Sequence, residues 1–569
     1  MGLIMETVVS ALLCFVTIIP LVLILLVNQV VRFLVALSLR LIHGSSIVLS
    51  DHGYDNIYMH KGYNHPHGRR TVLYLAVLTP GKNKLFDIAQ HRRNYEKHVL
   101  NREEFSKLTK VWVTKFGYTC LQRDANFDVE NHVRMYEEQG GKVTETDLME
   151  TLLPELCKDM EDDHPQWEDV IVPNFVYDND PIVPRILRII RIHHGYMDGI
   201  SNLLMLAETQ SGDSVHNFPW VINPLEPRQK TIGFWFRLFC LIHLPLVAMK
   251  HLMCGIWPRT TKNASWIPDS FTGHTLHGWS EPLDIKLLGD IKSASDCSMP
   301  AILTTVLLNA LGRFQDEFGQ RNDSDEILLG LVSALLPYPS VHLRNKHGIL
   351  RCELDAGRRD LPRRARLWNI NQKLKKISQS PETWLNHVLP SLCGHLPNRI
   401  ADMGTSLISG DGVISNFPAT RESIKLWGSQ VEEMAGWVPL LTRAGFGCVT
   451  LRYGDKLRFC LNTDEAAINR KELEWLLKVI VEEAKALSSD FSSASRSSSS
   501  GSKGSLVGRF LVFPVDQVCE NTTDDTTNNN NPDNIDQGVV EMKSEPSREE
   551  RISRAMRILM STMNKLKRA

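Results

Sequence analysis

An unbroken apolar run opens the chain: residues 7–27 (TVVSALLCFVTIIPLVLILLV) carry no charged side chain. About 20 such residues in a helix cross a bilayer, so the run predicts a transmembrane helix inside an N-terminal anchor at 1–45. Pro20 within it keeps a hydrophobic hairpin or an in-plane helix as the alternative. Acidic Glu6 and the length of the run argue against a cleaved signal peptide. Glu6 also stands where a myristoylation signal starting at Gly2 needs Ser or Thr. Arg32 and Arg40 follow the run, and the positive-inside rule then places the body of a single-pass protein in the cytosol.

Beyond the anchor, strand-like and helix-like periods alternate, which predicts an α/β fold. Residues 71–78 (TVLYLAVL) read as a buried strand ended by a Pro80-Gly81 turn. Residues 186–193 (ILRIIRIH) are rich in β-branched side chains and read as another strand. A helix is expected over 200–210, where Leu203, Leu204, Leu206 and Ala207 recur on one side. Residues 87–108 are polar and helix-compatible. The stretch 232–257 is rich in Phe, Leu, Ile and Trp yet holds Arg237, His243, Lys250 and His251. It reads equally as an interfacial helix with snorkelling basic residues or as a long core helix. Further on, 301–314 and 471–487 are helical, and 448–453 and 457–461 pair as a hairpin about an Asp455-Lys456 turn. From 488 onward Ser and then Asn, Asp and Thr dominate. Such a tail buries too little apolar surface to offset its ordering entropy. The last stretch, 548–568, is a basic helical segment suited to an anionic membrane or a partner, or simply to solvent.

Composition narrows the function. The chain has 569 residues, 43% of them hydrophobic and 23% charged, enough for two compact domains. With 64 basic and 65 acidic residues there is no excess of positive charge to neutralise phosphates, which excludes a nucleic-acid partner. The 11 cysteines are odd in number and form no C-x-x-C pair, so free buried thiols are expected rather than disulfides or structural zinc.

The strongest chemical signal is His193-His194-Gly195-Tyr196-Met197-Asp198-Gly199, placed between an expected strand and an expected helix. A junction of this kind presents a side chain on rigid supports. Imidazole suits general-base work near neutral pH. Asp198 either fixes the loop, commonly through an arginine, or caps the following helix. Gly199 serves close backbone packing or a conformation other residues avoid. Metal binding by His193, His194 and Asp198 is disfavoured, because adjacent strand residues face opposite ways.

The run resembles the H-H-x-x-x-D-G motif of the wax ester synthase/diacylglycerol acyltransferase family, within the chloramphenicol acetyltransferase-like superfamily. Other segments keep that family's order: Phe127-Asp128-Val129-Glu130-Asn131-His132-Val133-Arg134, Pro165-Gln166-Trp167-Glu168, Ser415-Asn416-Phe417-Pro418, and the turn at Tyr453-Gly454-Asp455-Lys456-Leu457. The resemblance spans about 51–487. It departs at Pro300-Ala301, where the family often carries Asn-Asp, and at Pro418-Ala419, where it carries Pro-Gly. The Asp-Phe-Gly-Trp-Gly string of the alkaloid- and phenol-acylating branch is absent.

The resemblance implies two chloramphenicol acetyltransferase-like subdomains, 51–225 and 270–487, joined by a hydrophobic segment at 226–269 and followed by the tail at 488–569. It implies a tunnel with His194 as general base, His193, Asp198 and Gly199 in support, and Asn416 as a candidate oxyanion donor. Acyl-CoA is the expected co-substrate and no cofactor is expected. The expected acceptor is a long-chain alcohol and/or diacylglycerol drawn from the bilayer, giving wax ester and/or triacylglycerol. The endoplasmic reticulum is the expected location, and the sequons at Asn263, Asn322 and Asn521 report on orientation. The alternative is a catalytically silent lipid-binding or lipid-sensing protein on the same fold.

Overall fold

The structure, a computed structural model, describes residues 2–497 apart from 61–69, 81–85, 137–140, 213–233, 257–267, 269, 319–325, 336–340, 356–360, 406–409 and 441–443. Gly81, the three sequons and the expected basic terminal helix lie outside the described residues.

A seven-stranded sheet forms the first half. Its centre is β1 (Thr71–Leu78), the strand expected over the same residues. It pairs antiparallel with β3 (Asp180–His193), which forms a hairpin with β2 (Trp167–Tyr177). Both faces of β1 are covered: Leu73, Leu75 and Val77 join one core cluster, and Val72 joins another on the opposite side. Double burial explains the continuous apolar run in place of alternation.

The second half holds another seven-stranded sheet. It contains β4 (Glu326–Ala334), β5 (His347–Asp355), β6 (Gly412–Thr420), β8 (Phe446–Tyr453) and β9 (Lys456–Asp464), in the order β9-β8-β6-β4-β5. The expected hairpin is present as β8 and β9, but its two-residue loop is Gly454-Asp455, and Lys456 already pairs with Tyr453. Gly454 has φ 60, the left-handed conformation such a loop requires at its first position.

Pro300-Ala301 opens the helix α5 (Met299–Glu317), whose residues from Ala301 to Gly312 are all buried. Proline fits there because the first-turn amide has no intrahelical acceptor. The last helix, α7 (Arg470–Ser497), outruns the expected boundary at 487 and takes in the first serines. Phe491, buried in the second core, gives that extra turn a packing partner.

The two halves are not separate in sequence. Strand β7 (Ser429–Trp437), from the C-terminal half, pairs antiparallel with β1 in the first sheet. Trp437 lies opposite Leu73 and is buried in the first core.

Helix α1 (Gly2–His43) runs past Pro20 without a break, so the expected span is one helix rather than a hairpin. Its C-terminal part is docked on the body. Asn28, Arg32, Val35 and Leu39, spaced by one helical turn, are buried, while Val30, Phe33, Leu34, Leu37 and Leu41 are exposed. Arg32, read above as a flanking positive charge, donates to the Ser50 carbonyl at 2.6 Å. Asn28 donates to the His395 carbonyl at 3.0 Å and accepts from the Tyr118 hydroxyl at 2.9 Å. Helix α4 (Phe234–Ile256) occupies the ambiguous apolar stretch. Cys240, Leu244 and Val247 pack with Leu21 of α1 and with Leu385 of α6 (Glu382–Cys393). His243 is buried and donates to the Phe239 carbonyl, so it does not snorkel. Leu238, Leu241 and Met249 remain exposed.

Candidate active site

Strand β3 ends at His193, which pairs with Thr71, and the His194 amide extends the ladder to the Arg70 carbonyl at 2.9 Å. The two histidine rings then part. His193 Nδ1 accepts from the Gly195 amide at 3.0 Å, which puts its proton on Nε2. The His194 ring lies flat on Tyr58, with centroids 4.1 Å apart and planes 7° apart, and 5.5 Å from the His347 ring. His194 keeps only 8% of its surface exposed. Burial, with the nearby His347, lowers its pKa to about 3, while Asp198 and Asn345 oppose the shift. The ring is therefore neutral, with a free lone pair, throughout the physiological range.

Asp198 caps helix α3 (Gly199–Gln210): Oδ1 accepts from the Ser201 amide at 2.9 Å. Oδ2 accepts from the Lys346 amide at 2.8 Å and lies 3.5 Å from His347 Nδ1. The carboxylate thus fastens the motif to the segment between β4 and β5 of the second half. Of the two roles expected for Asp198, the cap is present, and the loop is fixed through backbone amides. Gly199 answers to close packing, since an added Cβ would sit 2.8 Å from the Phe417 ring. Gly199→Ala is expected to destabilise the chain by about 1–3 kcal/mol through overpacking; an unchanged thermal midpoint would count against this contact.

A buried clamp holds the motif from behind. Helix α2 (Gly53–Ile57) carries Asp55, whose Oδ2 accepts from Lys107 Nζ at 2.7 Å. The same ammonium donates to the carbonyls of Gly195 at 2.6 Å and Tyr196 at 3.0 Å. Asp55 Oδ1 accepts from the backbone and side chain of Asn345, and Asn345 Nδ2 also donates to the His194 carbonyl at 2.7 Å. Burial pulls Lys107 below the usual ammonium value, and Asp55 opposes this. Asp55, Tyr58, Lys107, Asn345 and His347 were not singled out from sequence. They come from three separate segments, and no local spacing connects them.

The other motif segments brace the first sheet. His132 stacks on Trp167 at 4.7 Å and on Phe127 at 4.8 Å, and its Nδ1 donates to the Trp167 carbonyl. Arg134 donates to Glu168 at 2.9 Å. These residues adjoin a cavity of about 330 Å³ whose lining includes His132, Trp167 and Glu168 but not His194. Asn416 lies on β6 and its Oδ1 accepts from the Thr450 hydroxyl at 3.2 Å. Strand alternation turns it to the face opposite Phe417, the residue that meets Gly199.

Residues 343–487, which begin just before Asn345 and His347 and include β6 to β9, match the family model described as WS/DGAT C-terminal domain. The chain is an acyltransferase, and over these residues it is similar to the WS/DGAT family. Its fold is similar to that of the wax ester synthase/diacylglycerol acyltransferase from Marinobacter aquaeolei VT8, at 15% identity and a TM-score of 0.50, over 78% of this chain and 99% of that one. It is also similar to the TRI3 trichothecene 15-O-acetyltransferase from Fusarium sporotrichioides, at 11% identity and a TM-score of 0.52, over 78% and 95%. At such identities the likeness concerns the two-subdomain chloramphenicol acetyltransferase-like fold. No curated protein matches the chain in sequence.

The acyltransferase stores its histidines neutral. His60, His91, His132, His193, His194 and His387 are all held below the ordinary imidazole value, chiefly by burial. The unfolded chain takes up those protons near pH 6.5, and the folded chain only at lower pH. Below about 6.5 the unfolded state binds more protons, so stability falls as pH falls. The urea midpoint is expected to drop between pH 7 and pH 5; an unchanged midpoint would show that these rings are not buried neutral.

Proposed function

We propose that this acyltransferase esterifies a long-chain fatty alcohol, diacylglycerol, or both, from acyl-CoA, with His194 as general base. The observation that carries the reading is the neutral, nearly enclosed His194 imidazole at the rigid end of β3. As the acceptor oxygen attacks the thioester carbonyl, His194 takes the hydroxyl proton. The tetrahedral intermediate then collapses, the C–S bond breaks, and the imidazolium returns the proton to the CoA thiolate. Ester and free CoA result, with no acyl-enzyme and no added cofactor. A ring held near 3 is a weak base in the empty site, so the imidazolium must gain stabilisation as charge develops. Asp198 and the oxyanion itself are the nearby negative groups that supply it.

The apolar surfaces support a bilayer as the source of the acceptor. Among the described residues one helix segment, Ile19–His43, is long and apolar enough to cross a membrane. Helix α4 lies beside α1, and α6 connects α4 to α2, where an added Cβ on Gly53 would sit 1.9 Å from the Ser391 carbonyl oxygen. The membrane-facing helices are thus one layer from the site. We place the anchor in the endoplasmic reticulum with the body cytosolic.

The test is purified enzyme in detergent with radiolabelled palmitoyl-CoA and, separately, hexadecanol or dioleoylglycerol. Labelled wax ester or triacylglycerol is expected; no product with either acceptor would defeat the reading. In cells, a glycan-dependent gel shift at Asn322 would reverse the proposed orientation.

A further inference from the structure

Tyr58 follows directly on α2 and is completely buried. Its hydroxyl lies 3.0 Å from His347 Nε2, and His347 Nδ1 lies 3.5 Å from the Asp198 carboxylate. A carboxylate facing Nδ1 favours the proton there, which leaves Nε2 to accept from the Tyr58 hydroxyl. The other end of this line is the Tyr58 ring, parallel to the His194 imidazole at 4.1 Å.

His347 is itself held firmly. Its carbonyl accepts from His387 Nδ1 at 3.0 Å, and its ring meets the edge of Tyr54 at 4.9 Å. Tyr54 stacks on His387 at 4.8 Å. Tyr54 and Tyr58 are four residues apart, so one face of a single helical turn delivers both rings. Neither His347 nor Tyr58 takes a step in the reaction above, yet both are buried polar groups beside its base.

We infer that His347 and Tyr58 are positioning residues: Asp198 orients His347, His347 anchors the Tyr58 hydroxyl, and the Tyr58 ring sets the plane in which His194 meets the acceptor. This rests on His194 being the base. The aspartate of the motif then acts across the two halves of the molecule, through a histidine from the second half and a tyrosine from the first. An aliphatic side chain at 347 would fill the space but leave the phenol free to tilt, and His194 with it. A misplacement of about 1 Å at a catalytic base is worth about 10²-fold in rate.

The experiment compares His347→Leu, His347→Gln, Tyr58→Phe and the His347→Leu/Tyr58→Phe double variant, each checked for a native-like thermal midpoint. With palmitoyl-CoA and hexadecanol, His347→Leu is expected to lose about 10²-fold in kcat with little change in KM. Tyr58→Phe keeps the ring but loses the anchor and falls in the same direction. The double variant is expected to be no worse than His347→Leu alone, because both break one chain. His347→Gln, whose amide reaches both neighbours, recovers part of the loss. Additive losses, a normal kcat in either single variant, or a Gln variant no better than Leu would overturn the inference.

A second readout needs no turnover. Carbethoxylation of His194 by diethylpyrocarbonate, mapped by mass spectrometry against exposed His52, is expected to quicken several-fold in His347→Leu and in Tyr58→Phe. An unchanged His194 rate in the folded variants would also overturn it. A wild-type chain that forms no ester, or a His194→Ala chain that still does, defeats the proposed reaction instead, and carbethoxylation then decides the positioning alone.

Discussion

His194→Ala is expected to reduce ester formation by about 10²–10⁴-fold, the usual contribution of a general base. The fold should survive the change. The ring's Nδ1 is buried with no hydrogen-bond partner within the usual distance, so truncation leaves no new orphan there. The His194 carbonyl and its bond from Asn345 belong to the backbone and remain. What is lost is the stacking on Tyr58, worth about 0.5–1.5 kcal/mol for an aromatic pair. Turnover of radiolabelled palmitoyl-CoA, measured beside a thermal melt, checks both halves of the statement. Near-normal turnover would remove His194 from the mechanism. An inactive chain with a collapsed melt would leave His194→Gln, closer in size, to carry the comparison.

The second large effect falls on a residue with no chemical role. Lys107→Met should destabilise the chain by about 3–5 kcal/mol, because it leaves the Asp55 charge buried without its cation. It also releases the Gly195 and Tyr196 carbonyls, both of which Lys107 holds. Activity should fall with stability, since those carbonyls flank His194. Pairing the change with Asp55→Asn removes the stranded charge and keeps an amide facing Asn345. The double variant is therefore expected to melt above Lys107→Met. Urea denaturation of the three chains gives the comparison; a double variant less stable than Lys107→Met would show that charge isolation is not the cause.

Local pattern carried much of this fold. The run TVLYLAVL became β1 over the same residues, and the helix after Asp198 appeared with Asp198 as its cap. The H-H-x-x-x-D-G motif was legible because its members are contiguous and sit at one strand–helix junction. Its support was not. Asp55 and Asn345 are 290 residues apart, and Tyr58 and His347 are 289 apart. No periodicity links such positions; only the packing of α2 against α6 and β5 brings them together. Asn416 was raised by the family motif, yet its neighbour Phe417 is the residue that reaches Gly199, because a strand turns alternate side chains away. Arg32 looked like a membrane-flanking charge because hydropathy reads composition and ignores what one face of a helix docks against.

Strand β7 also bears on how the protein is made. A ribosome delivers β1 early and Ser429–Trp437 very late. Until then the TVLYLAVL strand has one open side, with its amides and carbonyls unpaired. Nascent or prematurely terminated chains therefore display an apolar edge prone to sticking to other chains. The enzyme's first half is a template that only its own distant C-terminal segment completes, so a translation product ending before residue 429 is expected to aggregate rather than persist as a folded half.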